Sequence, residues 1–201
     1  MKLIVLCGGR GSRLGDLTND KPKAMVKLGT KTIIEWVLKQ YKEFEYIFAS
    51  GYKGLDFSRF VDKKFPNSLC LIENKPLGTG GAIKSAAKCI RDDYFGVING
   101  DTVSNFDLRL FRHDLTYTFR NKFACCGMGI NADGIKAPAG AYVFHQKFLD
   151  YLPDVSNLED GILACQNMNR AIFFFNHKQF YDLGTPSGIE RYHDSTRAHS
   201  S

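Results

Sequence analysis

LCGGRGSRLGDLTNDKPKAM, residues 6–25, follows directly on the apolar run that opens the chain and sets bare backbone beside positive charge. Residues 2–8, KLIVLCG, are continuously apolar up to a closing glycine. That pattern predicts a strand buried on both faces, the first strand of a parallel sheet. Gly8, Gly9 and Gly11 let backbone N–H groups approach an anion closely, while Arg10, Arg13, Lys21 and Lys23 bring mobile charge. Leu14 stands where a Gly-x-Gly-x-x-Gly fingerprint needs its last glycine, and no Gly-Lys-Ser/Thr follows at the Walker offset, so both of those phosphate loops are excluded. On its glycines alone the stretch reads equally as a polyphosphate cradle or as a flexible solvated loop.

The elements around it alternate. TIIEWVLKQYKEF (32–44) puts Ile33, Ile34, Val37, Leu38 and Tyr41 on one helical face, with Thr32 as a cap, and YIFAS (46–50) reads as the second strand. LCLIE (69–73) and YFGVINGD (94–101) are further strands, separated by a helix over GGAIKSAAKCI (80–90). FACCGMGI (123–130), GAYVF (140–144) and AIFFFN (171–176) complete the strands. QKFLDYL (146–152) and LEDGILACQNM (158–168) read as short helices, and SGIERYHDSTRA (187–198) as a terminal one. This alternation predicts an α/β layer fold with its ligand beyond the carboxyl ends of the strands. The reading is a single domain over 1–193 with a frayed tail at 194–201.

Composition narrows the partners. The 201 residues carry 27 basic and 21 acidic side chains, a formal net charge of +6, which suits anionic ligands. The basic residues are scattered rather than striped, so a small phosphorylated ligand is expected and nucleic acid is not. No apolar stretch spans a bilayer and the start is too short for a signal peptide, giving a cytoplasmic expectation with no membrane partner. Cysteines 7, 70, 89, 125, 126 and 165 and histidines 113, 145, 177, 193 and 199 form no metal-ligand spacing. The cysteines are expected to be reduced thiols.

Gly8-Gly9-Arg10-Gly11-Ser12-Arg13-Leu14 followed by Pro22-Lys23, ENKPLGTGGAI (73–83), INGD (98–101), APAGAYVF (137–144) and YDLGTPSGIERY (181–192) occur in that order. With these blocks the chain resembles the sugar-1-phosphate nucleotidyltransferase family, closest to its heptose and mannose 1-phosphate guanylyltransferase branch, over about residues 1–193. The resemblance implies a Rossmann-like three-layer α/β/α fold with a mostly parallel mixed central sheet. It implies that Arg13 and Lys23 contact the nucleotide phosphates and that Asp101 and Asp182 act with them and hold Mg²⁺. Nucleotide contacts are carried over to Leu6, Gly8, Gly9, Arg10, Gly11, Ser12, Glu73, Pro76, Leu77, Gly78, Thr79 and Gly100. Sugar phosphate contacts are carried over to Gly140, Glu159 and Thr185.

Each of these has a plainer reading beside it. Asp101 after Asn-Gly is ordinary turn chemistry, Thr79 is a helix cap, and Glu159 is an acid at a helix start. The segment GMGINADGIKAPAGAYVF leaves almost no room for the long hairpin that many relatives place against the sugar. The sugar wall is therefore shorter, more open, or completed by another subunit of a homo-oligomer. The implied reaction joins a nucleoside triphosphate, GTP favoured, to a sugar 1-phosphate. Uridylyl or cytidylyl transfer, and a catalytically silent nucleotide-sugar-binding subunit, are the alternatives.

Overall fold

The computed structural model describes residues 1–131 and 134–198. The elements run β1 (Lys2–Cys7), the hairpin β2 (Lys27–Leu28) and β3 (Lys31–Thr32), α1 (Ile33–Val37), β4 (Glu45–Ser50), α2 (Gly54–Lys64), β5 (Leu69–Ile72), α3 (Gly78–Ala87), β6 (Tyr94–Asn99), β7 (Thr102–Val103) and α4 (Leu108–His113). They continue with β8 (Ala124–Ile130), β9 (Lys136–His145), α5 (Leu158–Asn167), β10 (Ala171–Gln179), β11 (Tyr181–Asp182) and α6 (Pro186–Ala198). One seven-stranded sheet has the order β10-β8-β9-β6-β1-β4-β5. Strands β5, β4, β1 and β6 are mutually parallel, β8 and β10 are parallel to each other, and β9 runs antiparallel between β6 and β8. This is the expected mixed, mostly parallel sheet.

The apolar run of β1 explains the layers. Leu3 and Val5 enter the core that α1, α2, α4 and α6 cover, whereas Ile4 enters the core that α3 and α5 cover. Leu3, Ile4 and Val5 are fully buried, and each side chain removed from water in this way contributes about 1.5–3 kcal/mol. Phe48, Phe57, Phe95, Phe144 and Phe148 fill the two layers. Among the described residues no helix is long and apolar enough to cross a membrane.

Local differences from the sequence reading have physical causes. Thr32 does cap α1: its hydroxyl accepts from the Glu35 N–H and the Glu35 carboxylate accepts from the Thr32 N–H, a reciprocal box contributing about 1 kcal/mol. The helix expected to reach residue 44 is α-helical only to Val37 and tightens to 3-10 over Leu38–Gln40. It stops there because the Tyr41 carbonyl is taken by the Tyr46 hydroxyl at 2.8 Å and by the Phe44 N–H at 3.1 Å. Helices α2 and α4 carry no expectation from the sequence. The 146–152 helix is a 3-10 turn over Gln146–Tyr151. Helix α6 runs through the boundary at 193, residues 194–198 continuing the helix expected over 187–198; 199–201 lie outside the described residues.

Candidate active site

The ends of β1 and β6 are stitched together where both strands leave the sheet. The Gly100 N–H donates to the Leu6 carbonyl at 2.9 Å. A Cβ on Gly100 would lie 2.6 Å from Cys7 Sγ and 2.7 Å from Leu6 O, so only glycine permits this approach. Asp101 therefore emerges beside the start of the glycine turn. Cys7 underneath has its thiol pKa raised well above the ordinary value by burial and by the neighbouring Asp101, with Lys23 opposing. It stays protonated and serves as packing.

Gly11 sits at φ 77°, and a Cβ there would be 2.8 Å from the Cβ of Lys23. The turn folds back onto Lys23 for that reason, and the Lys23 ammonium meets the Asp101 carboxylate in a short, largely buried ion pair. Asp182 reaches the same place by a different route. β11 pairs antiparallel with β7, setting Asp182 opposite Thr102, and the Leu183 N–H donates to the Asp101 carbonyl at 2.7 Å. At Gly184 the two acids converge. A Cβ on this residue would lie 2.7 Å from Asp101 Oδ2, 2.9 Å from Asp182 Oδ1 and 3.2 Å from Lys23 Nζ. Arg13 Nη1 closes the group on Asp182 Oδ2 at 3.0 Å. Arg13, Lys23, Asp101 and Asp182, the residues that the resemblance assigns to the phosphates and Mg²⁺, thus form one cluster around Gly184, although 169 positions separate Arg13 from Asp182.

The glycine turn is braced from β4. The Tyr52 N–H donates to the Gly8 carbonyl at 3.0 Å, and its hydroxyl donates to the Thr18 and Asn19 carbonyls at 3.3 Å each. The Arg10 guanidinium lies over the Tyr52 ring at 5.6 Å. Gly9, Arg10 and Ser12 face solvent. Glu73 stands across from Gly8, its Oε1 being 3.6 Å from where a Gly8 Cβ would be, and its Oε2 accepts a long bond from the Leu77 N–H at 3.4 Å. Partial burial raises its carboxyl pKa, opposed by the Leu77 bond. A cavity of about 250 Å³ opens here, lined by Glu73, Leu77, Ala82 and Ala86 among others.

The glycines of PLGTGG have a second employment. A Cβ on Gly78 would lie 2.3 Å from Ser156 O, on Gly80 2.5 Å from Ser156 Oγ, and on Gly81 2.3 Å from Asp154 O. They let the start of α3 dock on the 154–157 loop, whose Ser156 carbonyl accepts from the N–H groups of Gly80 and Gly81. Thr79 does not cap α3, whose N-cap is Leu77; its hydroxyl instead accepts from the Leu158 N–H at 2.8 Å, satisfying the first turn of α5. Pro76 and Gly78 are exposed.

The sugar-side residues are less gathered. Gly140, at φ 64°, lies against Asn99, whose amide nitrogen would be 2.9 Å from a Cβ there, so it flanks the exit of β6 one residue before Gly100. The Thr185 hydroxyl donates to the Asp182 carbonyl at 3.0 Å and accepts from the Gly188 N–H at 3.1 Å, so it braces the acid loop and opens α6. Glu159 occupies the exposed first turn of α5, the plain helix-start position. Its described influence is on Tyr142, whose phenol pKa is raised by burial first and by Cys126 and Glu159 after it. Gly184 and Tyr52 were not singled out from the sequence. Gly184 carried a visible signal inside YDLGTP, whereas Tyr52 carried none.

Among the described residues no three His, Cys, Asp or Glu side chains gather as a ready-made cage. The two carboxylates at Gly184 fit a hard cation that takes one or two acids and completes its shell with phosphate and water.

A family profile described as "Nucleotidyl transferase" matches residues 2–121. The D-glycero-alpha-D-manno-heptose 1-phosphate guanylyltransferase of Aneurinibacillus thermoaerophilus is 32% identical, over 95% of this chain and 96% of that protein. A protein of the same name from Campylobacter jejuni is 36% identical over 54% of this chain, and that match spans 51% of its own length. Among solved structures, HddC from Yersinia pseudotuberculosis complexed with GMP-PN superposes with a TM-score of 0.77 at 25% identity, covering 97% of this chain and 99% of that one. Matched over more than half its length by the profile and over nearly all of it by the Aneurinibacillus relative, the chain belongs to the nucleotidyl transferase family.

Proposed function

We propose that this protein transfers a guanylyl group from GTP to a sugar 1-phosphate of the heptose or mannose type, releasing pyrophosphate. The observation that carries the reading is the convergence of Asp101, Asp182 and Lys23 on the space beside Gly184, with Arg13 on its outer side. A sugar phosphate oxygen is already nucleophilic at neutral pH. It attacks the α-phosphorus, the bond from that phosphorus to the β-phosphate bridging oxygen breaks, and pyrophosphate leaves with the electron pair. No proton has to be removed, so the protein's task is to align two repelling anions and stabilise the charge of the in-line transition state.

Asp101 and Asp182 are the residues that hold Mg²⁺, which neutralises phosphate charge when bound. Lys23 acts as a compact charge beside the α-phosphate and Arg13 as a planar fork on phosphoryl oxygens, both released from their carboxylate partners as substrate arrives. The backbone of Gly8–Ser12, with Arg10, cradles the remaining phosphates, and Leu6 and Gly100 set the floor beneath them. The base lies between Gly8 and the Glu73–Thr79 segment. An ionised Glu73 accepts from the two adjacent N–H donors of guanine, a pair that uracil and cytosine do not present. Gly140 borders the sugar side. The guanylyltransferase names of the relatives and the GMP-PN complex of the structural neighbour support the base and the acceptor. The six free cysteines suit a reducing, cytoplasmic setting.

Pyrophosphate release measured with Mg²⁺ across four nucleoside triphosphates and a panel of sugar 1-phosphates tests this. Turnover with GTP and a heptose or mannose 1-phosphate is expected. Turnover confined to UTP or CTP would overturn the guanine assignment, and tight nucleotide-sugar binding without turnover would overturn the enzymatic one.

A further inference from the structure

The reaction just proposed brings a second anion to the acid pair, and the cations described so far are already committed to the nucleotide. A separate cavity of about 360 Å³ adjoins the cluster, sharing Arg13 and Asp182 with it but none of the residues 8–12 of the glycine turn. Phe180 and Tyr181 from the end of the sheet, and Ser187 and Arg191 from α6, line the rest of its working surface. The Arg191 Nε–H donates to the Ser187 carbonyl one turn back at 3.2 Å. The guanidinium is thereby drawn toward the amino end of α6, on the side where Thr185 opens that helix. Two arginines therefore border one polar and aromatic cavity whose inner edge is a carboxylate of the acid pair. Asn131, just after β8, and Ala137 of β9 form its rim on that side.

The geometry points to this cavity as the seat of the acceptor's phosphate monoester, with Arg191 as its binding residue. The inference rests on the proposed transfer reaction and adds to it where the acceptor lies and which side chain holds it. Arg13 stands between the two anions, bordering both the acid pair and this cavity, and Arg191 lies on the acceptor's side of it. Pyrophosphate is the other anion of the same chemistry in this reaction, so kinetics have to separate the two.

The test is steady-state kinetics of wild type, Arg191→Gln, Arg191→Lys and Ser187→Asp, forward with GTP and the sugar 1-phosphate that wild type turns over, and in reverse with pyrophosphate and the nucleotide sugar. Arg191→Gln is expected to raise KM for the sugar 1-phosphate about tenfold or more while KM for GTP and for pyrophosphate stays within about twofold. Arg191→Lys should recover part of the loss, keeping charge but losing the fork. Ser187→Asp places a negative charge on the same wall at a helix start that tolerates it, so it carries the test should the arginine variants fail to fold. It too should raise KM for the sugar 1-phosphate. An unchanged KM for the sugar 1-phosphate in Arg191→Gln and Ser187→Asp, or a shift that falls on GTP or pyrophosphate instead, overturns the inference while leaving the transfer reaction standing. A wild type inactive on every sugar 1-phosphate overturns both.

Discussion

The glycine turn and the acid ladder meet within one cluster yet are built on opposite principles. The turn is bare and exposed: Gly11 is held in the left-handed region, Arg10 and Ser12 face solvent, and the side chain of Arg13 is 62% exposed. The ladder is fixed. Asp101 and Asp182 are set by the paired β7 and β11, by the Leu183 bond to the Asp101 carbonyl and by the Gly184 N–H, which donates to Asp182 Oδ1 at 2.9 Å. The difference teaches a division of labour. On the proposed reaction the paired acids would mark where charge is neutralised and the exposed cations of the turn would follow the substrate, since electrostatic stabilisation is most effective where the groups need no reorganisation.

The steepest test of that division is replacement of the fixed acids. Asp101→Asn or Asp182→Asn should lower kcat by about 10²–10³ or more, read by pyrophosphate release at saturating substrate. Asp101→Asn also leaves the largely buried Lys23 ammonium without its counter-charge, so its melting temperature should fall, and restoring stability by adding Lys23→Met would confirm that coupling. Gly184→Ala comes next. The added methyl would sit 2.7 Å and 2.9 Å from the two carboxylates, so activity should fall about a hundredfold while the helices and the sheet keep their circular dichroism. A wild-type rate in this variant would mean that the acids are not fixed. Arg13→Ala, removing an exposed group, should cost less, on the order of tenfold to a hundredfold in kcat/KM. If it costs as much as Asp101→Asn, the comparison between exposed and fixed parts fails.

The smallest expected effect is a pH dependence at Glu73. Burial raises its folded pKa above that of the unfolded chain, so the unfolded chain ionises first. Stability is lost as pH rises from the ordinary carboxylate range through the raised folded value. Glu73→Gln removes that loss and keeps an acceptor for the Leu77 N–H. Its melting temperature should therefore gain slightly on wild type between acid and neutral pH and match it at the acid end, the gain being limited by solvent at a half-exposed site.

Much of this was legible in the sequence. The run Lys2–Cys7 announced a doubly buried strand, Thr32 announced its cap, and the alternation announced the layers, because each is a local pattern with its own physical cause. The meeting of Asp101 with Asp182 had no local pattern: β7 and β11 are two residues each, too short for any periodicity, and only the resemblance of the surrounding blocks pointed to it. Helix α2 was hidden because Leu55 is 68% exposed on the same turn that buries Phe57, which blurs the apolar stripe. The work of Thr79 was unreadable for a related reason, since its partner Leu158 lies 79 positions away. Glu159 shows the converse: the plain local reading, an acid at a helix start, describes where it stands.

Metal-dependent turnover of the acid-pair variants tests the central claim most directly. Pyrophosphate release by wild type, Asp101→Asn and Asp182→Asn should be followed with GTP and the sugar 1-phosphate at rising Mg²⁺. The account predicts saturable Mg²⁺ dependence in wild type and a loss of about 10²–10³ or more in rate in each variant that added metal does not restore. Turnover near the wild-type rate in either variant would contradict it.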